Sequence, residues 1–377
     1  MNRKPATACT LRPLAVLALM LALFTVAPSA QGRVAFPDPD GTGSASQTPL
    51  SPPPSPPAPT AEPAAPPPAP PAPSSPPSPT APTASRHPTG PVNFGVYKGA
   101  VKPAEVASFA SWLGGNVGWA LDFFSNSSWS SLENPSWWLN GWAGSRYTVV
   151  YSAPMLPASE GDMRSGAAGA YDDHWAKLAQ NLVAAGQANA VLRLGWEFNG
   201  GWYRWSAKDD PAAFAAYWRQ IVTSMRAVPG ARFRFDWCPT LGPASMRADQ
   251  AYPGNDVVDF VGADVYDQGW ETGWQDPLQR WKNFVEEPYG LQWQASFASR
   301  HGKPITFPEW GLSVRSDGHG GGDNPYFVER MREWIGSHDV AYALYFDYDA
   351  PDGGHSLTSG QFPLAAAKFR SLFGAAS

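Results

Sequence analysis

The sequence predicts an α/β fold, a (β/α)8 or TIM barrel built as a single domain, and three observations carry that prediction. From Val92 onward, short apolar runs alternate with helical patterns, the mark of repeated βα units. Eight such runs occur, at 92–97, 116–123, 147–152, 190–197, 232–238, 257–265, 304–309 and 341–347. The 41 prolines of the 377-residue chain crowd before residue 91, and the about 290 residues that remain are the usual size of one such barrel.

In chain order, residues 1–30 read as a signal peptide. Arg3 and Lys4 give a basic start, residues 14–27 form an apolar run too short to span a bilayer comfortably, and Ala27-Pro28-Ser29-Ala30 offers small residues for cleavage. The protein is therefore expected to be secreted. Residues 31–90 are a Pro/Ala/Ser-rich linker without the apolar side chains a core needs, and its prolines favour polyproline II at roughly 3.1 Å per residue. An uncleaved signal at the start of this stalk would tether the protein to the cell surface; a glycosylated or wall-threading tail is the other reading. Residues 91–377 are the barrel domain. Once the signal is removed, Cys238 is the one cysteine left, so no internal disulfide forms and the thiol reads as a small buried apolar residue.

The helices between the strands carry their own start and stop signals. Asp210-Pro211 is a cap followed by proline in the first turn, Phe214, Trp218, Ile221 and Met225 share one face, and Pro229-Gly230 ends the helix. Asn324-Pro325 repeats the start, with Phe327, Met331, Trp334 and Ile335 on one stripe. Trp175, Leu178 and Leu182 mark a helix that finishes at Gly186. A net charge of −5 gives no basic footprint for nucleic acid, and the chain is expected to act as a monomer. The histidines show no ligand spacing and GHGGGD at 318–323 lacks the Lys-Ser/Thr of a phosphate loop, so the reading includes no metal and no cofactor.

Sites in such barrels form at the carboxyl ends of the strands. Glu197 closes the fourth apolar run inside VLRLGWEFNGGWYRWS, residues 191–206. A lone glutamate walled by Trp196, Asn199, Trp202, Tyr203 and Trp205 has the makings of a carboxyl group with a raised pKa beside a surface for a flat, hydroxyl-rich ligand. Glu309 closes the seventh run, in ITFPEWG, Tyr266 follows the sixth and Asp347 ends the eighth. Glycoside hydrolysis needs one carboxyl group to protonate the leaving oxygen and a second to act at the anomeric carbon. Two that face each other at about 5–5.5 Å give retention through a covalent intermediate. Arg193, four residues before Glu197 on the same pleat, belongs one layer below the mouth, where it could hold Glu309 ionised. Each of these residues also has a plain structural reading. A strand-end glutamate can cap a helix, and Trp196, Trp202, Tyr203, Trp205, Trp237 and Trp310 can each be packing. Asp264, Asp267 and Asp347 can be loop caps. The carboxylate pair on two separate strands favours chemistry.

The segment WEFNGGWYRWS resembles the acid/base segment of glycoside hydrolase family 26, best known for β-mannanases, which reads R-x-x-H-E-x-N-G followed by aromatics. Arg193, Glu197, Asn199, Gly200, Trp202 and Trp205 match it. FDWCPT at 235–240 is similar to the family's fifth-strand segment, YPGNDVVDFVGADVYD at 252–267 to its sixth, and PEWG at 308–311 to its nucleophile segment. The four occur in the family's order and the similarity spans most of 92–350. The resemblance implies a catalytic domain in which Glu197 is the acid/base, Glu309 the nucleophile and Tyr266 the tyrosine that orients it. Substrate contacts are expected from Arg193, Trp196, Asn199, Trp202, Trp205, Trp237, Tyr266, Trp310 and Tyr345. Trp196 departs from the pattern, standing where the family has histidine beside the cleaved bond. The expectation is a retaining endo-β-glycosidase acting on β-1,4-mannan. The alternatives are β-1,3-xylan, a β-glucan or a cell-envelope polysaccharide by the same mechanism, or a catalytically inactive carbohydrate-binding barrel.

Overall fold

The structure is a computed structural model that describes residues 93–374, so the signal peptide at 1–30 and the linker at 31–90 lie outside the described residues. Nine strands form one parallel sheet: β1 (Asn93–Tyr97), β2 (Trp119–Phe123), β3 (Thr148–Ala153), β4 (Val191–Leu194), β5 (Arg234–Trp237), β6 (Phe260–Gly262), β7 (Val265–Tyr266), β8 (Ile305–Gly311) and β9 (Val340–Phe346). The sheet closes because β6 and β7 both pair with β8 while β9 pairs with β1. Separated only by Ala263-Asp264, β6 and β7 are two pieces of one stave, so the barrel has the eight staves the sequence predicts.

Around it lie α1 (Pro103–Leu113), α2 (Trp129–Glu133), α3 (Ser136–Trp142), α4 (Met163–Ala167), α5 (Asp172–Ala184), α6 (Pro211–Arg226), α7 (Pro277–Glu286), α8 (Leu291–His301), α9 (Pro325–Ser337) and α10 (Pro363–Phe373). One device starts α6, α7 and α9. The Asp210, Asp276 and Asn324 side chains accept from Ala213, Leu278 and Phe327 N–H at 3.0, 3.0 and 3.3 Å, and proline follows each cap, where its missing N–H costs nothing. The predicted α6 stripe of Phe214, Trp218, Ile221 and Met225 is buried in full, worth roughly 1.5–3 kcal/mol per side chain. The GHGGGD segment is tied down: Gly321 N donates to Asp267 O at 2.7 Å and Gly322 N to Ser313 O at 3.0 Å.

Two cores result. The larger lies between sheet and helices; the smaller, of Leu121, Val150, Val191, Phe260, Tyr342, Leu344 and Phe346, fills the barrel. Alternation along β4 then sends Arg193 inward with Val191. Ser152, Arg193 and Asp236 are register partners on β3, β4 and β5 and make a polar layer just below the mouth. Gly262 leaves room for it, since a Cβ there would stand 2.6 Å from Asp236 Oδ1. Asp236 in turn accepts from Thr306 Oγ1 at 2.7 Å and from the Tyr342 hydroxyl, joining β5 to β8 and β9.

Candidate active site

The fourth apolar run ends earlier than the sequence suggests. Expected to run to residue 197, β4 stops at Leu194, Gly195 turns the chain at φ 47°, and Glu197 itself has φ 51° in the left-handed region. The turn is held by Glu197 N–H donating to Cys238 O at 2.8 Å and by Gly200 N–H donating to Glu197 O at 2.9 Å. A left-handed conformation costs a residue with a Cβ roughly 1–2 kcal/mol, and here it aims the carboxyl group into the mouth. Trp202 Nε1–H donates to Glu197 Oε2 at 2.9 Å, while Oε1 has no hydrogen bond among the described residues. Gly200 is obligatory beneath that indole, because a Cβ there would stand 2.4 Å from its ring carbons. Burial above all, then the negative charge of Glu309, raises the Glu197 pKa to about 8. Glu197 therefore carries a proton at neutral pH.

Glu309 lies within β8 where the register against β9 shifts, Phe307 standing opposite Ala343 and Trp310 opposite Tyr345, and it is 7% exposed. Arg193 Nη2–H donates to its Oε1 and the Tyr266 hydroxyl to its Oε2 at 2.7 Å. Burial, then the Glu309 charge, pushes the Tyr266 phenol well above its ordinary pKa, which keeps it a donor. Burial alone would lower the Arg193 pKa, but the charges of Asp264 and Glu309 outweigh it and hold the guanidinium cationic. Asp264 shares the same Nη2 at 3.1 Å and accepts from Cys238 Sγ at 3.3 Å, so it braces Arg193 instead of capping a loop. Cys238 is buried, as expected, and its thiol has this second use. Asp267 and Asp347 are spent on Arg280 and Lys98.

Of the other predicted residues, Trp196 roofs Arg193 with its ring 5.4 Å from the guanidinium carbon and gives its Nε1–H to the Tyr203 hydroxyl at 3.1 Å. Arg193, Trp196, Trp202 and Tyr266 thus gather around the two glutamates. The remaining five are placed by packing. Asn199 is fully buried and spends its amide on Thr240, accepting from Thr240 N at 2.9 Å and donating to Thr240 O at 3.0 Å. Trp205 is buried under Trp196 and donates to its carbonyl at 2.8 Å. Trp237 packs on Phe198 and Phe297 behind β5, and Trp310 on Phe327, Phe369 and Phe373 behind β8, so both face the helices. Tyr345 is fully buried, its hydroxyl donating to His355 O at 3.0 Å. Sequence reasoning missed His355 and read Asp264 only as a possible loop cap; a second carboxylate facing one arginine becomes visible only when the closed barrel brings β4 and the β6–β7 junction together.

A closed parallel barrel with a protonated carboxyl group and a cation-braced carboxylate at the carboxyl end of its strands has the layout of a two-carboxylate glycosidase site. Residues 134–285, which include Glu197 and Tyr266, match the model of Glycosyl hydrolase family 26. Endoglucanase H of Acetivibrio thermocellus is 26% identical over 224 residues, 57% of this chain and 23% of that protein, so the chain spans about a quarter of that curated relative. Among solved structures, a modular endo-β-1,4-mannanase from Cellulomonas fimi superposes with a TM-score of 0.54 at 18% identity, covering 74% of this chain and 70% of that one. The catalytic domain of a Bacillus sp. JAMB-750 endo-β-1,4-mannanase does so with 0.52 at 15% identity, covering 77% and 86%. Likeness at these identities is a likeness of fold.

Proposed function

We propose that the barrel is a retaining endo-β-glycosidase whose substrate is a β-1,4-mannan. The observation that carries the reading is the division of labour between the glutamates: Glu197 is held protonated, with Oε1 free of intramolecular bonds, while Glu309 is held by two donors, Arg193 and Tyr266. In the first half of the reaction Glu197 gives its proton to the glycosidic oxygen as Glu309 attacks the anomeric carbon, and the glycosidic C–O bond breaks. In the second half Glu197, now a carboxylate, takes a proton from water, which displaces Glu309 and leaves the sugar with its starting configuration. Mannan is favoured by the family and by the mannanases that share the fold.

A β-glucan is the second reading, favoured by the name of the curated relative and by Trp196 standing where the family pattern has histidine. The test is reducing-end release by residues 88–377 from mannan, galactomannan, glucomannan, β-1,3-xylan, β-1,4-xylan and mixed-linkage glucan. Turnover of a mannan supports the first reading, turnover of glucan or xylan alone moves the substrate, and sugar binding with no turnover of any leaves an inactive carbohydrate-binding barrel. Secretion through residues 1–30, with residues 31–90 as a stalk, belongs to the same proposal. Cell fractionation of the full chain in a bacterial host tests it.

A further inference from the structure

One more polar side chain stands beside the nucleophile. His355 comes nine residues after β9 ends at Phe346, is 4% exposed, and sets its ring 4.7 Å from that of Tyr266, whose hydroxyl holds Glu309. The Glu309 charge is felt at the imidazole. His355 is also firmly anchored. Nδ1 lies 2.7 Å from Leu312 O, the backbone N–H donates to Asp349 Oδ1 at 3.0 Å, and the carbonyl accepts from Tyr345 at 3.0 Å.

These bonds fix the tautomer. A carbonyl oxygen can only accept, so Nδ1 carries the hydrogen and Nε2 keeps its lone pair. Burial lowers the His355 pKa, which keeps the ring neutral. Nε2 has no hydrogen bond among the described residues, yet it is not one of the sealed side-chain nitrogens and oxygens without a partner, so it opens to solvent. Gly353 keeps that opening clear, since a Cβ there would stand 3.4 Å from Nε2. An imidazole kept for the fold alone would be expected to spend both nitrogens. Across the mouth, Trp196 has already given its Nε1–H to Tyr203. A sugar ring held at Glu309 therefore finds its polar wall on the His355 side.

We propose that His355 is a substrate-binding residue whose Nε2 accepts a hydrogen bond from a hydroxyl of the sugar ring seated at Glu309. This rests on the glycosidase reading. The test compares His355→Phe, which keeps a ring against Tyr266 but removes the acceptor, and His355→Gln, which restores one, with the unvaried chain. Melting temperature, kcat and KM on glucomannan, and mannotetraose affinity by calorimetry in the Glu309→Ala background are measured. The phenylalanine variant is expected to lose about 10- to 100-fold in kcat/KM and in mannotetraose affinity with little change in melting temperature, and the glutamine variant to recover part of both. A purely structural role would lower the melting temperature and leave affinity in place. Unchanged kcat/KM and affinity in His355→Phe would overturn the proposal. Absence of turnover by the unvaried chain would overturn the glycosidase reading instead. The calorimetric comparison then judges His355 alone, with equal affinity or no mannotetraose binding at all counting against it.

Discussion

Glu309 and Glu197 share one mouth but are presented in different ways. Glu309 lies inside β8, where a guanidinium from β4 reaches it across the barrel and a phenol from the adjoining β7 meets its other oxygen. Glu197 lies three residues past the end of β4 on a left-handed turn, where one indole N–H meets it. The difference in backbone becomes a difference in charge. Glu309 is bonded directly to the Arg193 cation, whereas Glu197 on its turn has no ion pair and feels Arg193 only at a distance, so burial and the opposite carboxylate dominate. Two chemically identical side chains thereby take opposite protonation roles without any metal or cofactor in the proposed reaction.

Substitutions can break this division at either end. Glu309→Ala should have the largest effect, a loss of roughly a thousandfold or more in kcat with oligosaccharide affinity retained, measured by reducing-end assay and calorimetry. Glu197→Ala should cost nearly as much on polysaccharide and far less on an aryl glycoside with a good leaving group, since such a group departs without a proton. Comparing the two substrates checks that role. The pH profile sharpens the contrast further. Glu197 must be protonated to donate, so kcat/KM should fall as pH rises through about 8. Trp202→Phe removes a hydrogen bond that favours the ionised form, so the alkaline limb should move to higher pH, with a few-fold change in rate. Gly200→Ala, by pushing the same indole aside, should move it the same way. The smallest kinetic effect belongs to Asn199→Ala. It leaves the Thr240 backbone groups unpaired, so it should cost about 1–3 kcal/mol of stability by denaturant titration and leave KM near its starting value.

The sequence carried the barrel well because the staves announce themselves locally as apolar runs, and α6, α7 and α9 add an Asp-Pro or Asn-Pro start. It also carried both glutamates, since a single carboxyl group at the end of an apolar run is conspicuous against Val, Leu and Phe. The aromatics were less legible. Trp202, Trp205, Trp237 and Trp310 look alike in sequence, but only Trp202 touches a glutamate, because strand parity and the turn after Leu194 decide which indole faces the mouth. The length of β4 was misread for the same reason: Gly195 and Glu197 leave the strand through positive φ, and nothing in a glutamate's chemistry announces that. His355 was overlooked because its role depends on Leu312, Tyr266 and Gly353, which come together only through loops.

The central claim, that Glu309 attacks while Glu197 donates, is tested most directly by following hydrolysis of a β-1,4-linked mannan oligosaccharide with proton NMR in the first minutes, before the new reducing end mutarotates. The account predicts that the β anomer forms first and that its signal vanishes in Glu309→Ala; first appearance of the α anomer would contradict it.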